Sequence, residues 1–218
     1  MKVSDQSPKI DGSLQDVASR TVFDATLREW IESRAEKSGG QVALCTEQGP
    51  IDFRALHRRA MSLANFFRGL GLGQGDVIAV QLPNDIEFIL TYLAAGYIGA
   101  ALQTVHMNYR AAEIKPLLAH SKAKVVVCAV RVKDFCPAEF VISLISKTDT
   151  LKHVIAVGVD MPSLAHAFPD TNGSLNRDVS EQPAATDLFL LLYTSGTMAA
   201  PKGVPIVYRK FLPNAVLS

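Results

Sequence analysis

The sequence predicts an α/β fold, a parallel-rich sheet of βαβ units covered by helices on both faces. Three observations lead there. Runs such as Val77–Leu82 are near-continuous in apolar character rather than alternating, as strands buried on both faces are. Amphipathic stretches of helical period separate these runs, so that strand and helix alternate through the middle of the chain. Hydrophobic residues make up 48% of the 218, ample for a core in one large or two small domains.

Taken in order, residues 1–20 mix Lys2, Asp5, Lys9, Asp11, Asp16 and Arg20 with no apolar block, which reads as a loose tail and not a secretory signal peptide. Thr21 with Asp24 predicts a helix start, Phe23, Leu27, Trp30 and Ile31 share a face, and Gly39-Gly40 stops the helix. Val42–Cys45 and Ile51–Phe53 form a hairpin about Gln48-Gly49-Pro50. A second helix turns Leu56, Ala60, Leu63, Ala64 and Phe67 inward and Arg54, His57, Arg58 and Arg59 mostly outward, the arginines as a solvated face.

A glycine-punctuated turn, Gly69–Gly75, delivers the chain into Val77–Leu82, which Pro83 ends. Asn84 or Asp85 caps a helix from Ile86 to about Gly96, and a strand follows at Ala101–Val105. Then come a helix at Ala111–Ser121, a strand at Lys124–Ala129, a helix at Ala138–Ser146 and a strand at Val154–Val157. Gly158–Ala185, rich in turn formers, reads as a long surface connection. It leads to a buried strand, Leu188–Leu192, and Gly203–Val207 forms the next, with a further helix expected before Ser218.

Between those two strands lies the stretch that carries chemistry. Tyr193-Thr194-Ser195-Gly196-Thr197 is expected as a polar turn leaving the strand's carboxyl end, where open α/β sheets bind ligands. Hydroxyls on Thr194, Ser195 and Thr197, N–H groups near Gly196 and the ammonium of Lys202 make a donor-rich cradle suited to a polyphosphate, with no carboxylate between Tyr193 and Lys202. The plainer alternative is a surface hairpin. A Walker A loop is excluded, because Lys202 follows Pro201 and precedes Gly203.

The run Tyr193–Val204 resembles Y-T-S-G-T-T-G-x-P-K-G-V, the phosphate-binding signature of the adenylate-forming (AMP-binding) superfamily, which includes acyl-CoA synthetases; only Met198 and Ala199 depart from it. Further pieces resemble the amino-terminal half of acyl-CoA synthetases in the same order: Phe53–Leu56, Leu70–Leu72, Gly75–Ala79, Leu82–Asn84 with Glu87-Phe88, Gly99-Ala100, and Asn108-Tyr109 before Glu113-Ile114. The resemblance covers roughly Phe23 to Val207, and it implies that residues 21–218 are the amino-terminal part of the large domain of such an enzyme.

It also implies activation of a small carboxylic acid by ATP and Mg2+ to an acyl-adenylate, followed by transfer to coenzyme A, in fatty acid metabolism or a related process. Thr194, Ser195, Gly196, Thr197, Lys202 and Gly203 would hold the ATP phosphates. The family's adenine motif, ribose-binding aspartate and catalytic lysine should lie beyond Ser218, so no catalytic residue is assigned within this chain and the 218 residues alone are expected to be inactive. Tyr208 stands where relatives often have histidine. Two alternatives stay open: a truncated, non-catalytic member, and an unrelated flavodoxin-like module.

Composition narrows the partners. With 22 basic and 21 acidic residues the net charge is +1, so no global field recruits nucleic acid or an anionic membrane. Ile86–Leu102, the one membrane candidate, contains Glu87, Thr91 and Tyr92 and reads better as a buried helix running into a strand. Cys45, Cys128 and Cys136 form no C-x-x-C pair and read as reduced core or near-core thiols of a cytoplasmic protein. His57, His106, His120, His153 and His166 show no metal spacing, and His106 alone follows a strand end from which it could approach a ligand. The oligomeric state is not legible.

Overall fold

The structure, a computed structural model, describes residues 25–173, 182–194 and 202–211. Helix α1, Leu27–Lys37, is closed by a capping box: the Thr26 hydroxyl accepts from the Glu29 N–H at 3.2 Å, and the Glu29 carboxylate accepts from the Thr26 N–H at 2.9 Å. The start expected at Thr21 lies outside the described residues. Strands β1, Val42–Thr46, and β2, Gly49–Asp52, pair antiparallel as the expected hairpin, and Asp52 caps helix α2, Phe53–Gly69, by accepting from the Ala55 N–H at 2.7 Å.

The seven-stranded sheet is built from β3, Val77–Gln81, β4, Ala101–Thr104, β5, Val125–Ala129, β6, His153–Val157, β7, His166–Ala167, β8, Leu188–Thr194, and β9, Lys202–Val207. Its order is β7-β6-β5-β3-β4-β8-β9, parallel throughout except between β8 and β9. Helices α3, Ile86–Tyr97, α4, Ala111–Ser121, and α5, Pro137–Ile145, provide the crossovers.

Period-two alternation within apolar strands divides the core. Ile78, Val80, Leu102, Val125, Val127 and Ile155 face one cluster with α1, α2 and α3, while Ala79, Val126, Cys128, Val154 and Ala156 face a second with α4 and α5. The double coverage expected from the sequence is therefore present. Burial of a side chain such as Phe67, Leu63 or Ile78, each 0% exposed, contributes roughly 1.5–3 kcal/mol.

Four expectations are corrected. The connection expected across Gly158–Ala185 carries β7, which pairs parallel with β6 at the sheet edge, and Thr171 beyond it is buried and accepts from the Arg59 Nε at 3.0 Å. Arg54 and Arg58 are exposed as expected, whereas Arg59 is half-buried. His57, expected to point mostly outward, sits half-buried with Nδ1 2.6 Å from the Tyr97 hydroxyl. Cys45 is exposed, whereas Cys128 is buried and its thiol is pushed up to about 12 by that burial. Finally, Asp85 occupies the N-cap position of α3 but makes no side-chain capping bond.

Candidate functional site

Strand β8 runs parallel beside β4, with Leu102 opposite Leu190 and Gln103 opposite Leu191, so its end lies at the carboxyl edge of the parallel strands. That is the edge at which open α/β sheets place ligands. Tyr193 and Thr194, expected in a turn, instead continue β8, opposite Gly203 and Lys202 of β9. Antiparallel pairing holds them extended, as the plainer hairpin alternative has it. Ser195, Gly196, Thr197, Met198 and Ala199 lie outside the described residues, and the structure brings together only Thr194, Lys202 and Gly203 of the expected phosphate contacts.

Both faces of β8 are anchored. A register shift between Leu188 and Leu190 places the consecutive residues Phe189 and Leu190 in the same core cluster. Phe189 stacks on Tyr208 with centroids 4.5 Å apart and meets Tyr92 edge-on at 5.0 Å. Further along, the Tyr193 hydroxyl lies 2.8 Å from His120 Nδ1 at the end of α4. Burial raises the Tyr193 phenol above its usual value, and a hydrogen bond with Ser121 partly offsets it. Gly203 is closely approached by its neighbours: a Cβ there would sit 3.1 Å from Leu191 Cδ1 and 3.3 Å from Tyr193 Cζ, so a side chain would have to displace one of them.

Lys202 opens β9 exposed to solvent and makes no ion pair with any described residue. A solvent-facing ammonium at the mouth of a hairpin, with no acid in the described parts of either strand, fits a polyanion and offers no carboxylate to a bare divalent ion. The neighbouring loop is fixed by a residue that the sequence did not reveal. Gln81, buried at the end of β3, donates to the carbonyls of His106 and Tyr109 at 3.0 and 3.2 Å. His106 itself is exposed and its Nδ1 accepts from the Asn108 N–H at 3.2 Å.

A separate cleft of about 760 Å³ opens between the β1–β2 hairpin and the start of α3. Glu47, Asp85 and Glu87 line it beside Arg59, and no described residue of the β8–β9 hairpin does. That acidic wall is unsuited to a polyphosphate. No described helix is long and apolar enough to cross a membrane.

Residues 31–218 match the AMP-binding enzyme family. The medium-chain fatty-acid–CoA ligase of Escherichia coli is 29% identical over 88% of this chain and 34% of its own length. Tyrocidine synthase 2 of Brevibacillus parabrevis is 29% identical over 85% of this chain and 5% of its own. The acetoacetyl-CoA synthetase of Streptomyces lividans superposes with a TM-score of 0.77 at 22% identity, covering 88% of this chain and 32% of that one. This chain thus spans about a third of the CoA ligase it matches. A chance match on an unrelated flavodoxin-like module is excluded by the length of the family match, and the chain belongs to the AMP-binding enzyme family.

Proposed function

We propose that this chain supplies the ATP-phosphate-binding hairpin of an enzyme that activates a carboxylic acid to an acyl-adenylate and passes the acyl group to coenzyme A. The observation that carries this reading is Lys202, exposed and free of any described ion pair, on the first residue of β9 at the carboxyl edge of the sheet. Thr194, Ser195, Gly196, Thr197, Lys202 and Gly203 are the proposed phosphate contacts. Residues 21–218 form part of the large domain, and the enzyme acts in the cytoplasm, in keeping with three free cysteines.

A carboxylate is a poor acyl electrophile because oxide would have to leave; adenylation replaces oxide with AMP. Bringing the carboxylate onto a triphosphate requires charge compensation, which the Lys202 ammonium and hairpin donors would provide around the phosphates. Mg2+ would arrive bound to ATP and share that charge. Coenzyme A is the proposed acceptor, as in the CoA ligase this chain resembles; tyrocidine synthase 2 matches at the same identity, so thioester formation with added coenzyme A is the assay for that step.

The test is acid-dependent exchange of pyrophosphate into ATP by the complete polypeptide that carries this chain. Exchange with any carboxylic acid, reduced about 10²-fold or more by Lys202→Ala, supports the reading. Full exchange in that variant contradicts it. The alternative of a non-catalytic member predicts no exchange with any acid.

A further inference from the structure

We infer that His120, on α4, is a positioning residue for the phosphate-binding hairpin: it holds the base of the hairpin through Tyr193. This inference rests on the proposed role of that hairpin. Its evidence is the geometry of three elements that meet there. Ile114 and Leu118 lock α4 into the second core cluster. From the last turn of that helix, His120 presents Nδ1 to the Tyr193 hydroxyl at 2.8 Å, the two rings nearly perpendicular with centroids 5.6 Å apart. Tyr193 then lies against Gly203, so closely that a Cβ on the glycine would approach its ring at 3.3 and 3.4 Å. Gly203 adjoins Lys202, and Lys202 pairs with Thr194.

The chain of contacts therefore runs from a helix anchored in the core by Ile114 and Leu118, through the exposed His120, to the cation. Backbone pairing fixes β9 only against β8, and β8 pairs with β4 only at Leu190 and Leu191, so the far end of the hairpin has no third strand beside it. The His120–Tyr193 bond ties the far end of β8 to an element on the opposite side of the sheet from Phe189. With both faces held, the direction in which Lys202 leaves the strand is set before any phosphate arrives. Preorganisation of this kind matters because a misplacement of about 1 Å at a reacting centre already costs on the order of 10²-fold in rate.

His120 is a positioning residue and touches no phosphate, and the experiment separates that role from Lys202's. In the complete polypeptide, His120→Ala, His120→Gln, Tyr193→Phe and Lys202→Ala are compared by hydrogen exchange of the backbone at 193–194 and 202–203 and by the ATP KM and kcat of pyrophosphate exchange. His120→Ala and Tyr193→Phe should each speed exchange at the hairpin base by about tenfold. They should lower kcat more than they raise KM, while His120→Gln, which keeps a side-chain hydrogen-bonding group, restores part of both. The His120→Ala, Tyr193→Phe double variant should match Tyr193→Phe and exceed His120→Ala only by the Ser121 hydrogen bond that the phenylalanine also removes. Unchanged hydrogen exchange in His120→Ala, or faster exchange with unchanged kcat, overturns the inference. Lys202→Ala should leave hydrogen exchange as it is. If that variant keeps full activity, the reading of the hairpin as a phosphate site fails instead, whatever His120 does.

Discussion

Replacing Tyr208 tests how the hairpin is held on its inner side. Its side chain is 0% exposed, stacks on Phe189 at 4.5 Å and 20°, and donates from its hydroxyl to the Gly96 carbonyl at 3.3 Å. Tyr208→Phe removes only the hydroxyl and should cost about 0.5–1.5 kcal/mol. Tyr208→Ala also removes the ring from a packed site, for a total of about 3–5 kcal/mol that includes the cavity and the aromatic pair. Tyr208→His should fall between the two, because a smaller ring leaves part of the space behind Phe189 unfilled. The assay is urea unfolding of the chain followed by circular dichroism, with the slope required to stay constant so that the midpoint reports stability. Should Tyr208→Ala lose less than about 1 kcal/mol, the stack on Phe189 does not anchor β8 and the packing argument is wrong.

Other expectations follow from single groups. His57 Nδ1 shares a hydrogen bond with the Tyr97 hydroxyl at 2.6 Å, and burial keeps that phenol protonated far above its usual range. Burial also lowers the His57 pKa, with Glu32 and Glu36 opposing and Arg28 and Arg58 reinforcing the shift. A depressed folded pKa means that this stabilisation is present above pH 6.5 and declines as pH falls toward the lowered folded value; His57→Gln should flatten the stability profile over that acidic window, and an unaltered profile would remove His57 as its cause. Gln103, 0% exposed, has no hydrogen-bond partner for either amide atom among the described residues. Gln103→Leu should therefore raise stability by about 1–3 kcal/mol in thermal or urea unfolding, and a loss would reveal a partner for the amide. At Met198 and Ala199, restoring the signature with Met198→Thr and Ala199→Gly should tighten ATP binding in calorimetry; equal affinities would show both departures to be neutral.

Much of the scaffold was legible because local signals and burial agree. Helix α4 has the bounds expected, since Ile114, Leu117, Leu118 and Ser121 fall on the buried face and Glu113 accepts from the Arg110 N–H at its start. The alternation of Val125–Cys128 between two core clusters follows from a strand that is apolar on both faces. What was missed depends on contacts remote in sequence. Strand β7 is two residues long and owes its extended state to pairing with β6, which no local pattern in a turn-rich segment announces. The end of β8 was set too early because Tyr193 and Thr194 resemble turn residues, yet β9 pairs with them. His120 carries no local signal at all: its partner lies 73 positions away, and only the folding of α4 over β8 brings the two together. Within the hairpin, the residue types were legible from the signature, while the register that pairs Thr194 with Lys202 was not.

The central claim is that the β8–β9 hairpin binds the phosphates of ATP. The most direct measurement is an NMR titration of this chain, isotopically labelled, with Mg·ATP, Mg·tripolyphosphate and adenosine in parallel. Mg·ATP and Mg·tripolyphosphate should both shift the amide signals of Lys202 and Gly203, adenosine should not, and Lys202→Ala should weaken both responses. Shifts confined to another surface, such as the cleft lined by Arg59 and Glu87, or equal responses in Lys202→Ala, would contradict that claim.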